Sequence, residues 1–196
     1  AHEFAVIEMG ASGPGEIDYL CKLARPDVSM INNVMPAHIQ GFGSVEGVAK
    51  AKGEIYQALS SQQVAVVNLD DKFSPSWLED LHKKSIGVIS VSLSNKEADV
   101  YASGILLDDS TTESAIQFCL HYKDQFVAVT LPAQGEHNVR NALMASACAL
   151  ALTIDLQKIQ SGLKTFVPVA GRMARYQGIA GTTIIDDSYN ANPGSV

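Results

Sequence analysis

VSMINNVMPAHIQGFGSVEGVAKAKGEIYQALSSQQVAVVNLDD, residues 28–71, sets two short apolar runs on either side of a helical pattern, and that alternation decides the fold class. Val28–Val34 reads as a buried strand. Ser44 is placed to cap a helix running to about Ser60, since a serine hydroxyl can accept from an early backbone N–H that has no partner within the helix. Val64–Asn68 is a second continuous apolar run and reads as another buried strand. Strands alternating with helices in this way predict an α/β fold with a mostly parallel sheet flanked by helices.

The same alternation extends in both directions. Upstream, Phe4–Met9 is a short apolar run ending in Gly-Ala-Ser-Gly-Pro-Gly, which predicts a buried strand and a turn. Glu16–Leu23 is helical in pattern and is stopped by Arg25-Pro26, because proline disfavours helix at the residue before it. Downstream, Ser74-Pro75 opens a short helix with proline at a favourable early position, and Ile86–Leu93 follows as a strand. The middle section then changes character. Asp99–Leu107, Ser114–His121 and Gln125–Leu131 are strand-like with little helix between them, which predicts antiparallel strands on one side of the sheet. Helical patterns return at Asn138–Leu152 and Asp155–Phe166. Thr182–Asp186 is strand-like, and the polar Ser188-Tyr-Asn-Ala-Asn-Pro-Gly after it has the composition of an inter-domain linker. The expected organisation is a domain over 1–187 and a linker over 188–196.

Composition narrows the function classes. A chain of 196 residues is long enough for one substantial core, and 46% apolar residues suits a globular protein. No apolar run approaches the about 20 residues needed to span a bilayer. The first residues lack the basic start and apolar stretch of a secretory signal. They also lack an initiator Met, which suggests an excerpt from a longer protein. A net charge of −7 argues against nucleic acid, whose backbone calls for clustered Lys and Arg. It leaves room for a small phosphate ligand held by a few donors and metal ions. Cys21, Cys119 and Cys148 are odd in number, widely spaced and free of any CxxC pattern, which fits a reducing cytoplasm.

Several residues can carry chemistry, and each also has a plainer explanation. Glu8 ends the first predicted strand, the edge where open α/β sheets collect ligands, and a carboxylate there can hold Mg²⁺; it can equally be a polar strand end. His38 follows the second predicted strand and reads first as a loop histidine. Lys50, Lys52 and Glu54 read as a solvated helix face, although a buried lysine would have a lowered pKa and a nucleophilic neutral amine. Asn138 and Asn141 are three apart and share a helix face. Their amides suit the edge of an adenine, or Asn138 caps the helix. Arg172 can clamp phosphates through its forked guanidinium or lie on the surface after a helix. Asp186-Asp187 can meet a ribose hydroxyl or a metal, or start a turn. No GxxxxGKS/T loop, GxSxG elbow, HExxH helix or GxGxxG fingerprint is present.

Taken in order, VIEMGAS, INNVMPAHIQGFGSVEGVAKAKGEIY, VAVVNLDD, GEHNVRNALMASA, VAGRMAR and IIDDSYNANPGS resemble the Mur ligase family over Val6–Ser195. Six ordered blocks are far more specific than any one of them. The resemblance implies the family's central ATP-binding domain. It implies that Glu8 and His38 bind magnesium and that Lys52 becomes carbamylated and helps place a second Mg²⁺, making Lys52 and His38 the catalytic residues. Asn138, Asn141 and His137 fall where the family contacts adenine, Arg172 near the ATP phosphates and Asp187 at the ribose, with Asn33 shaping the metal site.

The HIQGFGS and DDSYNANP blocks favour members that join D-Ala-D-Ala to UDP-N-acetylmuramoyl-tripeptide. The implied reaction is ATP-driven activation of a peptide carboxylate as an acyl phosphate, followed by amide formation, in cytoplasmic peptidoglycan synthesis and through it cell shape and division. The resemblance further implies a monomeric parent, a GxxGKT/S phosphate loop and a UDP-sugar domain before Ala1, and a closing domain after the linker. The expectation is therefore that these 196 residues alone are inactive and bind ATP poorly. Where family members write Pro-Gly-Arg, this chain has Ala170-Gly171-Arg172. The rival readings are another ligase of the superfamily, such as a folylpolyglutamate synthase, and a non-catalytic module that binds nucleotide or protein.

Overall fold

A computed structural model describes residues 2–36, 39–107, 115–171 and 174–189. The chain divides into two compact units, Ala1–Ile89 and Ser90–Val196. Six strands form one sheet in the order β1-β2-β3-β4-β5-β6, and β7 and β8 form a separate two-stranded sheet.

The first unit holds α1 (Glu16–Ala24), β1 (Val28–Ile31), α2 (Ile39–Phe42), α3 (Val45–Gln57), β2 (Val64–Asn68), α4 (Ser74–Lys83) and the start of β3 (Gly87–Ser92). β1 and β2 are parallel, with Val28 opposite Val64 and Ile31 opposite Val67. Ser44 caps α3 as its position predicts, accepting from Gly47 N at 3.1 Å. α3 packs on β1 and against α1, α2 and α4. Its inward residues Ala49 and Tyr56 join Ile31, Ala65, Val67, Trp77 and Leu81 in one apolar core. The Tyr56 hydroxyl bridges the two strands, accepting from Ile31 N at 2.9 Å and donating to Val66 O at 2.6 Å. Gly53 lets the Trp77 indole approach, because a Cβ there would stand 3.0 Å from Nε1.

The second unit holds the end of β3, then β4 (Val100–Leu107), β5 (Ile116–Tyr122), β6 (Gln125–Leu131), α5 (Glu136–Ala151), α6 (Leu156–Lys164), β7 (Ala174–Gln177), a 3₁₀ turn (Ile179–Gly181) and β8 (Thr183–Asp186). Val91–Ser92 of β3 pair with Val100–Tyr101 of β4 in parallel, and a short loop connects the two strands. β4, β5 and β6 form the expected antiparallel set. Along β6, Val127, Val129 and Leu131 are buried at every second position, the signature of a sheet with one covered face. α5 packs on β4 and α6 on β6.

Three expectations need correction. Phe4–Met9 is not a strand: up to Glu8 it lies exposed, with Val6 101% and Ile7 60% accessible, Met9 is half-buried, and the run pairs with no strand among the described residues. An apolar run without a neighbour to take its N–H and C=O groups has no ladder to join. Asn138 is not the cap of α5; Gly135 is, at φ 78°, and Asn138 sits inside the first turn. Glu54 is not part of a solvated face. Its carboxylate accepts from Gly15 N at 2.7 Å and Asp18 N at 3.1 Å, capping α1 from the neighbouring helix. Within 188–196, only Ser188 and Tyr189 lie among the described residues.

Candidate functional site

The best-built polar cluster of the first unit lies where β1 and β2 end. Past Ile31 the paired register stops, and side chains take over the cohesion. Asn68, 2% exposed at the last position of β2, donates from Nδ2 to Asn32 O at 2.8 Å and accepts from Asp70 N at 3.0 Å. Asp71 accepts from Val34 N at 2.7 Å through one carboxylate oxygen and from Phe73 N at 2.9 Å through the other. Between these two ties stands the Asn33 carbonyl, which receives the Lys52 amine at 2.8 Å.

Lys52 is half-buried while Lys50, two residues earlier on α3, is exposed. Burial pushes the Lys52 amine below its ordinary value, because desolvation penalises the charged form, and the Asp71 carboxylate partly opposes that shift. The sequence reading of Lys52 as part of a solvated face therefore gives way to its alternative, a lysine turned inward. Asn68 and Asp71 were legible only as polar residues following a strand; nothing in their spacing tells that they reach back to the loop after β1.

The turn before α1 is held by α2 and α3. Ser12 N donates to the Glu16 carboxylate at 2.8 Å, and a Cβ on Gly41 of α2 would collide with the Ser12 carbonyl. Gly15 is held by Glu54 of α3. The segment leading out of Glu8 is thus anchored on α2 and α3, while Glu8 itself is exposed in irregular backbone. His38 lies outside the described residues, one position before α2. Among the described residues no three His, Cys, Asp or Glu side chains gather as a metal site.

In the second unit the structure joins the residues at the start of α5. Asn138 Nδ2 donates to Gln134 O at 2.7 Å, Asn141 Nδ2 donates to Asn138 Oδ1 at 3.2 Å, and the His137 ring lies 3.2 Å from Asn138 Nδ2. The shared face read from the three-residue spacing is real. Asp187 is exposed directly after β8. Arg172 lies outside the described residues, yet Gly171 before it accepts from Tyr189 N at 2.9 Å. Gly171 takes φ +76°, and a Cβ there would stand 3.1 Å from Tyr189 N, so glycine suits this close crossing. That contact brings Gly171 beside the backbone that follows β8.

Comparison with known proteins identifies the family and the fold of the chain. Residues 1–149 match the model of the Mur ligase middle domain. The chain is 37% identical over 195 residues to the UDP-N-acetylmuramoyl-tripeptide–D-alanyl-D-alanine ligases of Haemophilus influenzae and Escherichia coli, covering 100% of this chain and 40% and 42% of those proteins. It thus spans about two-fifths of the length of the curated relatives it matches. A crystal structure of MurF from Acinetobacter baumannii superposes with a TM-score of 0.87 at 40% identity, covering 98% of this chain and 40% of that one. MurF from Thermotoga maritima, solved in complex with ADP, superposes with a TM-score of 0.74 at 25% identity, covering 94% of this chain and 40% of that one.

Proposed function

The chain belongs to the Mur ligase family, and from that premise we propose that it is the central part of an ATP-dependent ligase adding D-Ala-D-Ala to UDP-N-acetylmuramoyl-tripeptide. The observation that carries the reading is Lys52: a half-buried amine of lowered pKa, held on a backbone carbonyl at the carboxyl ends of two parallel strands. That edge is where open α/β sheets take their ligands.

The residues present suit a hard divalent cation. A lysine desolvated enough to lose its proton can take up CO₂, releasing one further proton and becoming an oxygen-bearing carbamate, while Glu8 and His38 supply a carboxylate and an imidazole. Glu8, His38 and carbamylated Lys52 would then hold two Mg²⁺ ions, which when bound neutralise the triphosphate and the charge that spreads during phosphoryl transfer. His137, Asn138 and Asn141 present the adenine contacts, Asp187 accepts from the ribose and Arg172 clamps phosphate oxygens. The protein supplies position and charge. The peptide carboxylate takes the γ-phosphoryl group of ATP, and the amine of D-Ala-D-Ala then displaces phosphate as the amide forms.

Residues 1–187 act as one functional domain in this reading, with 188–196 leading towards a further one, and the whole enzyme works as a cytoplasmic monomer in peptidoglycan synthesis. No described helix is long and apolar enough to cross a membrane. The 196 residues contain no GxxGKT/S loop, so these residues alone are expected to bind ATP weakly and to lack ligase activity.

The test is an amide-forming assay on the full-length protein with UDP-N-acetylmuramoyl-tripeptide, ATP and Mg²⁺, offered D-Ala-D-Ala, meso-diaminopimelate or glutamate as the amine. Phosphate release with D-Ala-D-Ala alone is expected, and Lys52→Ala should lower kcat roughly 100-fold, the scale of losing one charge-stabilising group. A full-length protein that neither binds nor hydrolyses ATP ends the enzyme reading, and preference for another amino acid reassigns the acceptor.

A further inference from the structure

We infer that Asp71, seconded by Asn68, is a positioning residue for Lys52: the two clamp the loop after β1 so that the Asn33 carbonyl is presented to the lysine amine. The inference rests on the role proposed above for Lys52 and adds residues that role does not name.

The geometry is specific. Asn32, Asn33 and Val34 follow the last paired residue of β1, so the ladder with β2 no longer holds them. Two side chains, from the last residue of β2 and from the turn after it, replace it. Asn68 takes the Asn32 carbonyl at 2.8 Å, and Asp71 takes the Val34 amide at 2.7 Å. These ties fall on the residues immediately before and after Asn33. The carbonyl between them is therefore fixed on both sides, and it is the one that receives Lys52 Nζ at 2.8 Å.

The base of the clamp is itself braced. The second oxygen of Asp71 accepts from Phe73 N at 2.9 Å, closing a turn just before α4, and Asn68 Oδ1 accepts from Asp70 N at 3.0 Å. A lysine side chain has four rotatable bonds and a compact ammonium with no fixed direction. Anchored only at its Cα on α3 it would sample many rotamers, and a rigid acceptor selects one. Reactive groups are sensitive to displacements of that size, since a misplacement of about 1 Å can cost roughly 100-fold in rate.

Asp71→Asn separates the two jobs of the carboxylate. An asparagine oxygen can still accept from Phe73 N and keep the local turn, but the amide nitrogen facing Val34 N is a donor opposite a donor. The variant is made in the full-length protein and compared with wild type by hydrogen exchange of the Val34 amide, by ¹³C NMR of the lysine carbamate during a bicarbonate titration, and by kcat and KM for ATP. Because losing the Asp71 charge also favours the neutral amine that takes up CO₂, the clamp is read from faster exchange of the Val34 amide and a fall in kcat of about tenfold or more, with KM for ATP little changed.

Val34 amide exchange and kcat equal to wild type would overturn the inference. Should the variant fail to fold, hydrogen exchange of the Val34 amide in the wild-type protein decides: slow exchange supports the clamp, and exchange at the rate of an open loop overturns it. Failure of the underlying reading looks different, because wild-type protein would then show no carbamate signal at any bicarbonate concentration while Val34 exchange still reports on the clamp.

Discussion

β1 and the N-terminal run Phe4–Met9 are both short, apolar and followed by polar residues, yet they end in opposite environments. β1 lies parallel to β2 over four residue pairs, with Ile31 5% exposed and the Tyr56 hydroxyl spanning the two strands. Phe4–Met9 has no strand beside it among the described residues, and Phe4, Val6 and Ile7 all stand more than half exposed. Apolar side chains supply a reason to be buried, but a strand also needs a neighbour to satisfy its backbone. The difference reaches the candidate site. The end of β1 carries a braced loop and an ordered lysine contact, whereas Glu8, near the end of the other run, is exposed in irregular backbone.

The contrast can be broken by measuring stability in the 196-residue chain. Val67, fully buried opposite Ile31, should lose about 2–4 kcal/mol on replacement by alanine, from lost transfer energy and the cavity left behind. Denaturant unfolding with an unchanged slope is the measurement, and a loss under about 1 kcal/mol would mean that this core is loosely packed. Tyr56→Phe comes next. It leaves the aromatic packing on Trp77, whose ring centre is 5.7 Å away, but strips the bridge from Ile31 N and Val66 O. Leaving buried groups short of a partner should cost about 1–3 kcal/mol.

A pH series sharpens the comparison at the site itself. The folded-state pKa of Lys52 is lowered below 10.5 by burial. The folded chain therefore releases the lysine proton before the unfolded chain does, and between the two pKa values the unfolded state binds more protons. Stability conferred by this group must rise with pH across that window and be lowest where Lys52 is charged in both states. Wild type should accordingly gain on Lys52→Met as pH climbs towards 10.5 in paired denaturation curves. Parallel curves would place the amine in solvent. The smallest effect is expected at the other region: Val6→Ala, at a side chain 101% exposed, should change stability by less than about 0.5 kcal/mol. A cost there comparable to that of Val67→Ala would show that the N-terminal run is buried after all.

Much of this architecture is written in local pattern. Ser44 marks the start of α3, Ser74-Pro75 the start of α4 and Asp155 the start of α6, where its carboxylate accepts from Lys158 N at 2.9 Å. Val64–Asn68 and Gln125–Leu131 are strands over the very residues their apolar runs cover. Ala174–Gln177 escaped that reading because a four-residue run with mixed polarity has no period to detect. Its strand character comes from pairing with β8, Ala174 opposite Asp186 and Gln177 opposite Thr183.

The site divides along the same line. Local pattern and ordered motif blocks were enough to determine an α/β chain of the Mur ligase family, and to put Glu8, His38, Lys52, Asn138, Asn141, Arg172 and Asp187 forward as its working residues. Tertiary structure alone decided that Lys52 turns inward while Lys50 faces solvent, that Glu54 caps a helix thirty-odd residues earlier, and that Asn68 and Asp71 hold the loop after β1. The physical reason is range. Caps, turns and periodicity act between residues a few positions apart and leave a mark in sequence, whereas burial of an amine and the partner of a carboxylate depend on segments that only the folded chain brings together.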